Sequence, residues 1–216
     1  VIFKPSSYTP LTGIIVTKIL EIAGFKNYIS LVIGGGGIVG DTITTHPLVK
    51  GITFTGSTEI GKRIFRIAGL KKLQLELGGK APAIIMEDAD LNLASKSVVA
   101  GAYRLAGQRC DAISLVLVQE NIYEEFLEKI VKERENWKIG DPRDKNVSIG
   151  PLIGRRAVQR VSEMVIDAID KGSKLIAGGD YYKLYFNPTI LTEVNENSII
   201  AKEEIFGPVI PIIKFK

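Results

Sequence analysis

The 216 residues predict an α/β protein built on parallel sheet, and three observations carry that expectation. Short β-branched runs alternate with helix-length amphipathic stretches through the first third of the chain. Glycine-rich turns follow several of those runs, where strands give way to helices. From Lys71 the rhythm changes but the alternation continues, so a second α/β domain follows the first. The boundary falls near Gly78, giving domains 1–77 and 78–216.

Val1 to Phe3 reads as a buried strand and leads into the turn Lys4-Pro5-Ser6-Ser7-Tyr8-Thr9-Pro10. The next helix places Ile15, Ile19 and Ile22 on one face and ends near Gly24. Ser30 to Ile33 forms a second strand that runs into Gly34-Gly35-Gly36-Gly37-Ile38-Val39-Gly40. A third, Ile52-Thr53-Phe54, turns at Thr55-Gly56-Ser57 into a helix with Ile60, Ile64 and Ile67 aligned. This is the order of right-handed parallel βαβ units, and so of a nucleotide-binding kind of sheet.

Further on, Leu73 to Leu77 alternates like a strand, Gly78-Gly79 breaks it, and Ala83 to Met86 forms another. Asp90 caps a helix carrying Leu91, Ala94, Val98, Ala102 and Leu105, and Ile113 to Val118 is an apolar strand. Asn121-x-x-Glu124 has the form of a capping box for a helix with Ile122, Phe126 and Ile130 inward. Glu125–Lys129 and Glu128–Lys132 pairs on its outer face contribute only about 0.3–0.5 kcal/mol each. A helix with Ala157, Val161, Val165, Ala168 and Ile169 inward ends at Gly172. Strands follow at Lys174 to Ala177, Thr189 to Leu191 and Val209 to Phe215. Neither terminal strand has the residues that would lead into it or cap it, so the chain reads as a segment of a longer protein.

Composition excludes several classes of function. Hydrophobic residues make up 45% and charged residues 24%, as in ordinary globular proteins. A net charge of +4 with mixed signs is too mild to argue for a nucleic-acid partner. Lys18, Glu21 and Lys26 interrupt the richest early apolar segment, so no membrane span is expected. The single cysteine fits a reducing, cytoplasmic compartment, and few Cys and Met beside abundant Ile, Lys and Glu point towards a thermophile. No cluster of metal-ligand residues occurs, so no metal chemistry is expected. His46 before Pro47 reads as a surface or packing residue, and Lys71-Lys72 and Arg155-Arg156 as solvated charges.

Two stretches suggest chemistry. Cys110 stands in Gly107-Gln108-Arg109-Cys110-Asp111, a helix-to-strand turn that can present a thiol at a cleft while the glycine allows close approach of another group. Taken alone, a lone cysteine is more often a small buried hydrophobe. Upstream, Glu76 ends a strand beside the flexible Gly78-Gly79, where an isolated glutamate is usually solvated or ion-paired. Gly35-x-Gly37-x-x-Gly40 formally matches a dinucleotide fingerprint, but a glycine run matches by accident and no ribose-binding acid follows at the required distance. Gly56-Ser57, at a helix start, is the better phosphate cradle; its ordinary alternative is a helix N-cap.

Glu76-Leu77-Gly78-Gly79-Lys80, Gly107-Gln108-x-Cys110 and Glu204-Ile205-Phe206-Gly207-Pro208 occur in the order that marks the aldehyde dehydrogenase superfamily. Phe54-Thr55-Gly56-Ser57-Thr58 and Lys4-x-x-x-x-Thr9-Pro10 add two further signatures. The whole chain therefore resembles the middle of such an enzyme, most closely the archaeal non-phosphorylating NADP-dependent glyceraldehyde-3-phosphate dehydrogenases. The resemblance implies the aldehyde dehydrogenase fold, with a Rossmann-like cofactor domain followed by a second α/β catalytic domain, both incomplete here. The upstream Pro-Trp-Asn segment, whose asparagine forms half of the oxyanion hole, has no counterpart, so these residues alone are expected not to turn over. A homotetrameric parent is implied.

For the chemistry, the resemblance implies that Cys110 attacks an aldehyde and that Glu76 activates the water that hydrolyses the resulting thioester. Lys4 is carried over to the adenosine ribose, Gly36 and Gly40 to the adenine wall, and Gly56 and Ser57 to the pyrophosphate. Leu77 joins the cofactor-contacting set, while Glu204 holds the nicotinamide ribose with Phe206 packed beside it. Ser7 occupies the position where NAD-selective members place a glutamate that repels a 2′-phosphate. The expectation is therefore NADP, or dual use of NADP and NAD with NADP preferred. Arg109 suits an anionic aldehyde, and the branch with this arginine that keeps the general-base glutamate oxidises glyceraldehyde 3-phosphate to 3-phosphoglycerate. Succinate semialdehyde and lactaldehyde are the alternative substrates, and an Arg109–Asp111 salt bridge is the structural alternative for the arginine. A catalytically silent scaffold of the same fold is the alternative of another class, against which Cys110 and Glu76 argue.

Overall fold

Short parallel strand pairs, each spanning a helix, organise the first part of the molecule. The computed structural model describes residues 1–216, which divide into two units, Val1–Gly78 and Gly79–Lys216. In the first unit β1 (Ile2–Phe3) leads through a turn into α1 (Pro10–Leu20) and on to β2 (Ser30–Leu31), which pairs parallel with β1. Pro10 opens α1 at a position where a missing N–H costs no hydrogen bond. The helix loosens into a π-turn at Glu21–Phe25 and is stopped by Gly24, whose φ of 97° suits glycine alone.

What α1 buries differs from the expected isoleucine stripe. Its buried residues are Gly13 and Thr17, because the turn after β1 lies on that face: a methyl on Gly13 would sit 2.6 Å from Pro5 Cγ. Ile15, Ile19 and Ile22 are exposed, Ile22 by 86%. The glycine run after β2 forms a second π-turn, Gly36–Gly40, continued by a short helix α2 (Asp41–Thr45) that the sequence reading missed. Then β3 (Gly51–Thr55), α3 (Thr58–Ile67) and β4 (Lys72–Glu76) make a second parallel unit, with Thr55 opposite Glu76. Of the three isoleucines aligned on α3 only Ile64 is buried. Lys71 is not a free surface charge, since its ammonium donates to the Thr44 carbonyl.

The second unit holds a five-stranded sheet. Its elements are β5 (Ala81–Ile85), α4 (Leu91–Tyr103), β6 (Ile113–Gln119), α5 (Tyr123–Arg134), α6 (Arg155–Asp170) and β7 (Lys174–Ala177). A hairpin of β8 (Tyr181–Tyr182) and β9 (Tyr185–Phe186) follows, then β10 (Thr189–Thr192), α7 (Ile199–Lys202) and β11 (Val209–Phe215). The strand order is β5-β6-β11-β10-β7, parallel except for β7, which pairs antiparallel with β10 at one edge. A proline in the middle strand is unusual. Pro211 is tolerated because pairing changes hands there: residues 209–211 pair with β10 and 212–215 with β6.

Burial explains the order. All of β10 is buried, as are Val209 to Ile212 of β11, as expected of central parallel strands shielded on both faces. They form one core with Val98, Val99 and Ala102 of α4, Phe126 and Ile130 of α5, and Val161, Met164 and Val165 of α6. Asp90 caps α4 as expected, accepting from the N–H groups of Asn92 and Leu93 at 2.9 and 3.1 Å. The capping box at Asn121 does not form: α5 starts at Tyr123, and the Asn121 amide instead donates to Glu87 at 2.7 Å. Of the α5 surface pairs, Glu125–Lys129 closes at 3.5 Å. No helix is long and apolar enough to cross a membrane.

Candidate active site

The candidate residues of the first unit lie at the carboxyl ends of parallel strands or on the segments that follow them, the side where open α/β sheets bind ligands. Lys4 follows β1, and its ammonium donates to the Pro5 carbonyl at 2.7 Å and to the Gly34 carbonyl at 3.3 Å. The Ser7 hydroxyl reaches the same Gly34 oxygen at 3.3 Å. A cation and a hydroxyl thus converge on one acceptor at the end of β2, held by long bonds that a better acceptor can displace. Gly36 and Gly40 face open space, with nothing within 4 Å of where a side chain would begin.

Gly56 and Ser57 follow β3, and their geometry modifies the expected phosphate cradle. The Gly56 N–H is taken by the Glu76 carbonyl at 3.0 Å, and the Ser57 hydroxyl accepts from the Ile60 N–H at 3.4 Å as an ordinary N-cap. The amides of Thr58 and Glu59, the first two of α3, are the ones left without a partner. A methyl on Gly56 would lie 2.5 Å from the tip of the Phe54 ring, so any side chain there would displace that ring. Glu76 ends β4 with its side chain exposed. The half-buried Leu77 presses on α3 at Gly61, where a methyl would come within 2.7 Å of Leu77 Cδ1.

In the second unit the cysteine sits on a strained turn. Helix α4 ends at Tyr103, whose buried hydroxyl donates to the Thr189 carbonyl at 2.9 Å. Leu105, Ala106 and Gly107 then follow with φ of 53°, 55° and 71°. Left-handed backbone costs a non-glycine residue roughly 1–2 kcal/mol, so this run persists only because its surroundings enforce it. It carries Leu105 out of the helix face to which periodicity assigned it, and Leu105 is exposed.

Gln108 does much of the enforcing. Its amide nitrogen donates to the carbonyls of Leu105 and Pro151 at 3.2 and 3.3 Å, and its oxygen accepts from the Ile153 N–H at 2.7 Å. Cys110 itself is exposed, which sets aside the reading of a buried core cysteine. Around it the Gln108 N–H bonds Leu105 and the Ala112 N–H bonds Arg109, leaving the Cys110 N–H without a partner.

The Glu204 loop abuts this turn. A methyl on Gly107 would collide with the Gly207 carbonyl and lie 3.0 Å from that of Ala102. A methyl on Gly207 would lie 2.5 Å from Val161 of α6. Both glycines are therefore dictated by space, and the residue before the second, Phe206, has φ of 55° and a part-exposed ring. Glu204 has one carboxylate oxygen, Oε1, buried without a hydrogen-bond partner. An orphaned buried acceptor at this point fits the hydroxyls of a ribose.

Arg109 is turned back on the protein. Its guanidinium donates to the Gly101 carbonyl at 2.8 Å and pairs with Asp111 at 3.2 Å, while its Nε is buried without a partner. The salt bridge weighed against a substrate role is thus the arrangement observed. His46 is exposed and uses its ring nitrogen to accept from the Leu48 N–H at 3.3 Å.

The family model described as the aldehyde dehydrogenase family matches residues 1–216, and the chain belongs to that family. It is 42% identical to a mitochondrial succinate-semialdehyde dehydrogenase of Arabidopsis thaliana, covering 100% of this chain and 42% of that one. It is 41% identical to a lactaldehyde dehydrogenase of Methanocaldococcus jannaschii, covering 99% and 47%. Among solved structures, glyceraldehyde-3-phosphate dehydrogenase GapN of Methanocaldococcus jannaschii complexed with NADP matches with a TM-score of 0.95 at 41% identity, covering 100% and 48%. The chain spans less than half the length of these relatives. The aldehyde dehydrogenase fold expected from the motifs is the fold observed.

Proposed function

We propose that the protein oxidises a small anionic aldehyde to its carboxylic acid with NADP, through a thioester on Cys110. The observation that carries this reading is the exposed thiol on a strained turn, beside a free backbone N–H and against a loop with an unpartnered carboxylate oxygen. The Cys110 sulfur attacks the carbonyl carbon, and the oxyanion formed receives the Cys110 N–H. NADP, with Lys4 and Ser7 toward its adenosine end and Glu204 toward its nicotinamide ribose, would supply the hydride acceptor for the collapse of that oxyanion. Glu76 takes a proton from the water that opens the thioester, freeing the acid and the thiol.

Lys4 and Ser7 support NADP over NAD. Together they offer a charge and a hydroxyl at one point, with no carboxylate to repel a 2′-phosphate. Arg109 supports glyceraldehyde 3-phosphate, because its buried Nε is unmet and the Asp111 that balances it is largely exposed. The Gly101 bond favours the second reading, a semialdehyde or lactaldehyde oxidised without help from a guanidinium already engaged.

The test is NADP reduction by the whole protein with glyceraldehyde 3-phosphate, succinate semialdehyde and lactaldehyde, without inorganic phosphate or coenzyme A. Preference for the phosphorylated aldehyde, lost in Arg109→Ala, supports the first substrate. Equal or faster rates with the others, unaffected by Arg109→Ala, support the second. No NADP reduction with any aldehyde would overturn the function itself.

A further inference from the structure

Lys80 closes one of the motifs yet has no part in the chemistry above. It stands just before β5, and its ammonium donates to the carbonyls of Ile200 and Glu203 at 2.6 and 2.9 Å. Arg160 of α6 reaches the same segment, donating to the carbonyls of Glu204 and Ile205 at 2.6 and 2.8 Å. It also lies 3.5 Å from the Glu203 carboxylate. Two cations from elements far apart in sequence thus hold four carbonyls between residues 200 and 205. Two positive charges brought together in a partly buried place repel, and are retained only where acceptors offset the cost. Here the four short bonds go to backbone oxygens and the one carboxylate contact, to Glu203, is long, so the cations chiefly fix the course of the chain. Within the held segment, its own carbonyl and those of both neighbours gripped, is Glu204, with its buried and unpartnered Oε1.

We propose that Lys80 and Arg160 are positioning residues that clamp the 200–205 backbone so that the Glu204 carboxylate meets the nicotinamide ribose. This rests on the reading of Glu204 as a cofactor contact. The clamp has a built-in pH dependence. Burial, helped by the Arg160 charge and opposed by Glu204, lowers the Lys80 ammonium to about 8. Of the other ionisable groups in the held segment, the Glu203 carboxylate pairs with Arg160, and the Lys202 ammonium donates to the Asn197 side chain at 3.1 Å. As pH rises through that value Lys80 becomes a neutral amine, which still donates but no longer attracts the carbonyls by charge.

Hydrogen exchange of residues 199–208 without cofactor, and calorimetric titration of NADP, both on the whole protein, test the proposal. Lys80→Met and Arg160→Gln should each speed exchange in that segment and weaken NADP by about tenfold or more, the loss of a charged hydrogen bond. The parent should lose NADP affinity from pH 7 to 9, and Lys80→Arg, which stays charged, should not. That pH comparison stands even where the methionine variant does not fold. Unchanged exchange in both neutral variants overturns the clamp. Faster exchange with unaltered NADP affinity, where Glu204→Gln does weaken NADP, overturns the positioning role. If Glu204→Gln leaves NADP binding intact, the cofactor reading of Glu204 fails and the proposal falls with it.

Discussion

On the proposed mechanism, separate parts of the reaction depend on two single side chains, Glu76 and Ser7. With Glu76→Gln the water that releases the acid loses its base, so steady turnover should fall at least about 100-fold. The first equivalent of NADPH should still form in a rapid burst, because acylation of Cys110 does not use Glu76. Stopped-flow absorbance separates the two phases; an unaltered steady rate would remove Glu76 from the mechanism. Ser7→Glu places a carboxylate beside Lys4 at the Gly34 carbonyl. Coulomb repulsion of a 2′-phosphate should then lower the NADP/NAD ratio of kcat/KM, and a constant ratio would show that Ser7 does not face that phosphate.

The turn between α4 and β6 is where an element rather than a residue sets the chemistry. Gln108→Ala removes the bonds to Pro151 and Ile153 that hold the turn. A lost pair of this kind costs about 1–3 kcal/mol. The rate of Cys110 alkylation should change as the turn relaxes, and the melting temperature should drop; unchanged labelling would mean the turn holds itself. This anchoring was invisible in the sequence, since nothing in Gly107-Gln108-Arg109-Cys110 says that the glutamine reaches residues 151 to 153. Local signals read well: Asp90 as a cap, Gly24 as a stop, and the apolar run that gave β6. Signals that need a partner read poorly. Ile15, Ile19 and Ile22 form a true apolar stripe, but periodicity marks a face without saying what covers it. The β8–β9 hairpin and α7, with too few residues for any period to show, went unread.

Across the 216 residues, burial is distributed unevenly. The continuous buried core lies in Gly79–Lys216, while the first unit buries few large side chains. Backbone amides of β6, β10 and β11 should therefore exchange slowest, and those of β1 and β2 markedly faster. Hydrogen-exchange mass spectrometry of the 216-residue chain checks this, and equal protection in both units would contradict it. Acid should act on both units alike. Hydrogen bonds from Arg63, Arg143 and Lys171 hold the carboxyls of Asp41, Asp141 and Asp167 below their usual 3.8. A depressed carboxyl adds stability in full above its unfolded value and loses it as pH falls through the folded one. Melting temperature should stay level in this respect above about pH 5 and fall only below about pH 4, less steeply in Asp167→Asn. The open glycines of the first unit have a consequence of another kind. Gly40 has room for a methyl and a helical backbone already suited to one, so alanine there should stabilise the chain by about 0.4–1 kcal/mol. On the proposed reading of Gly40 as part of the adenine wall, it would also crowd the adenine and weaken NADP. A search for heat-tolerant variants that selects on melting alone would therefore pick out this substitution and, with it, lose the cofactor.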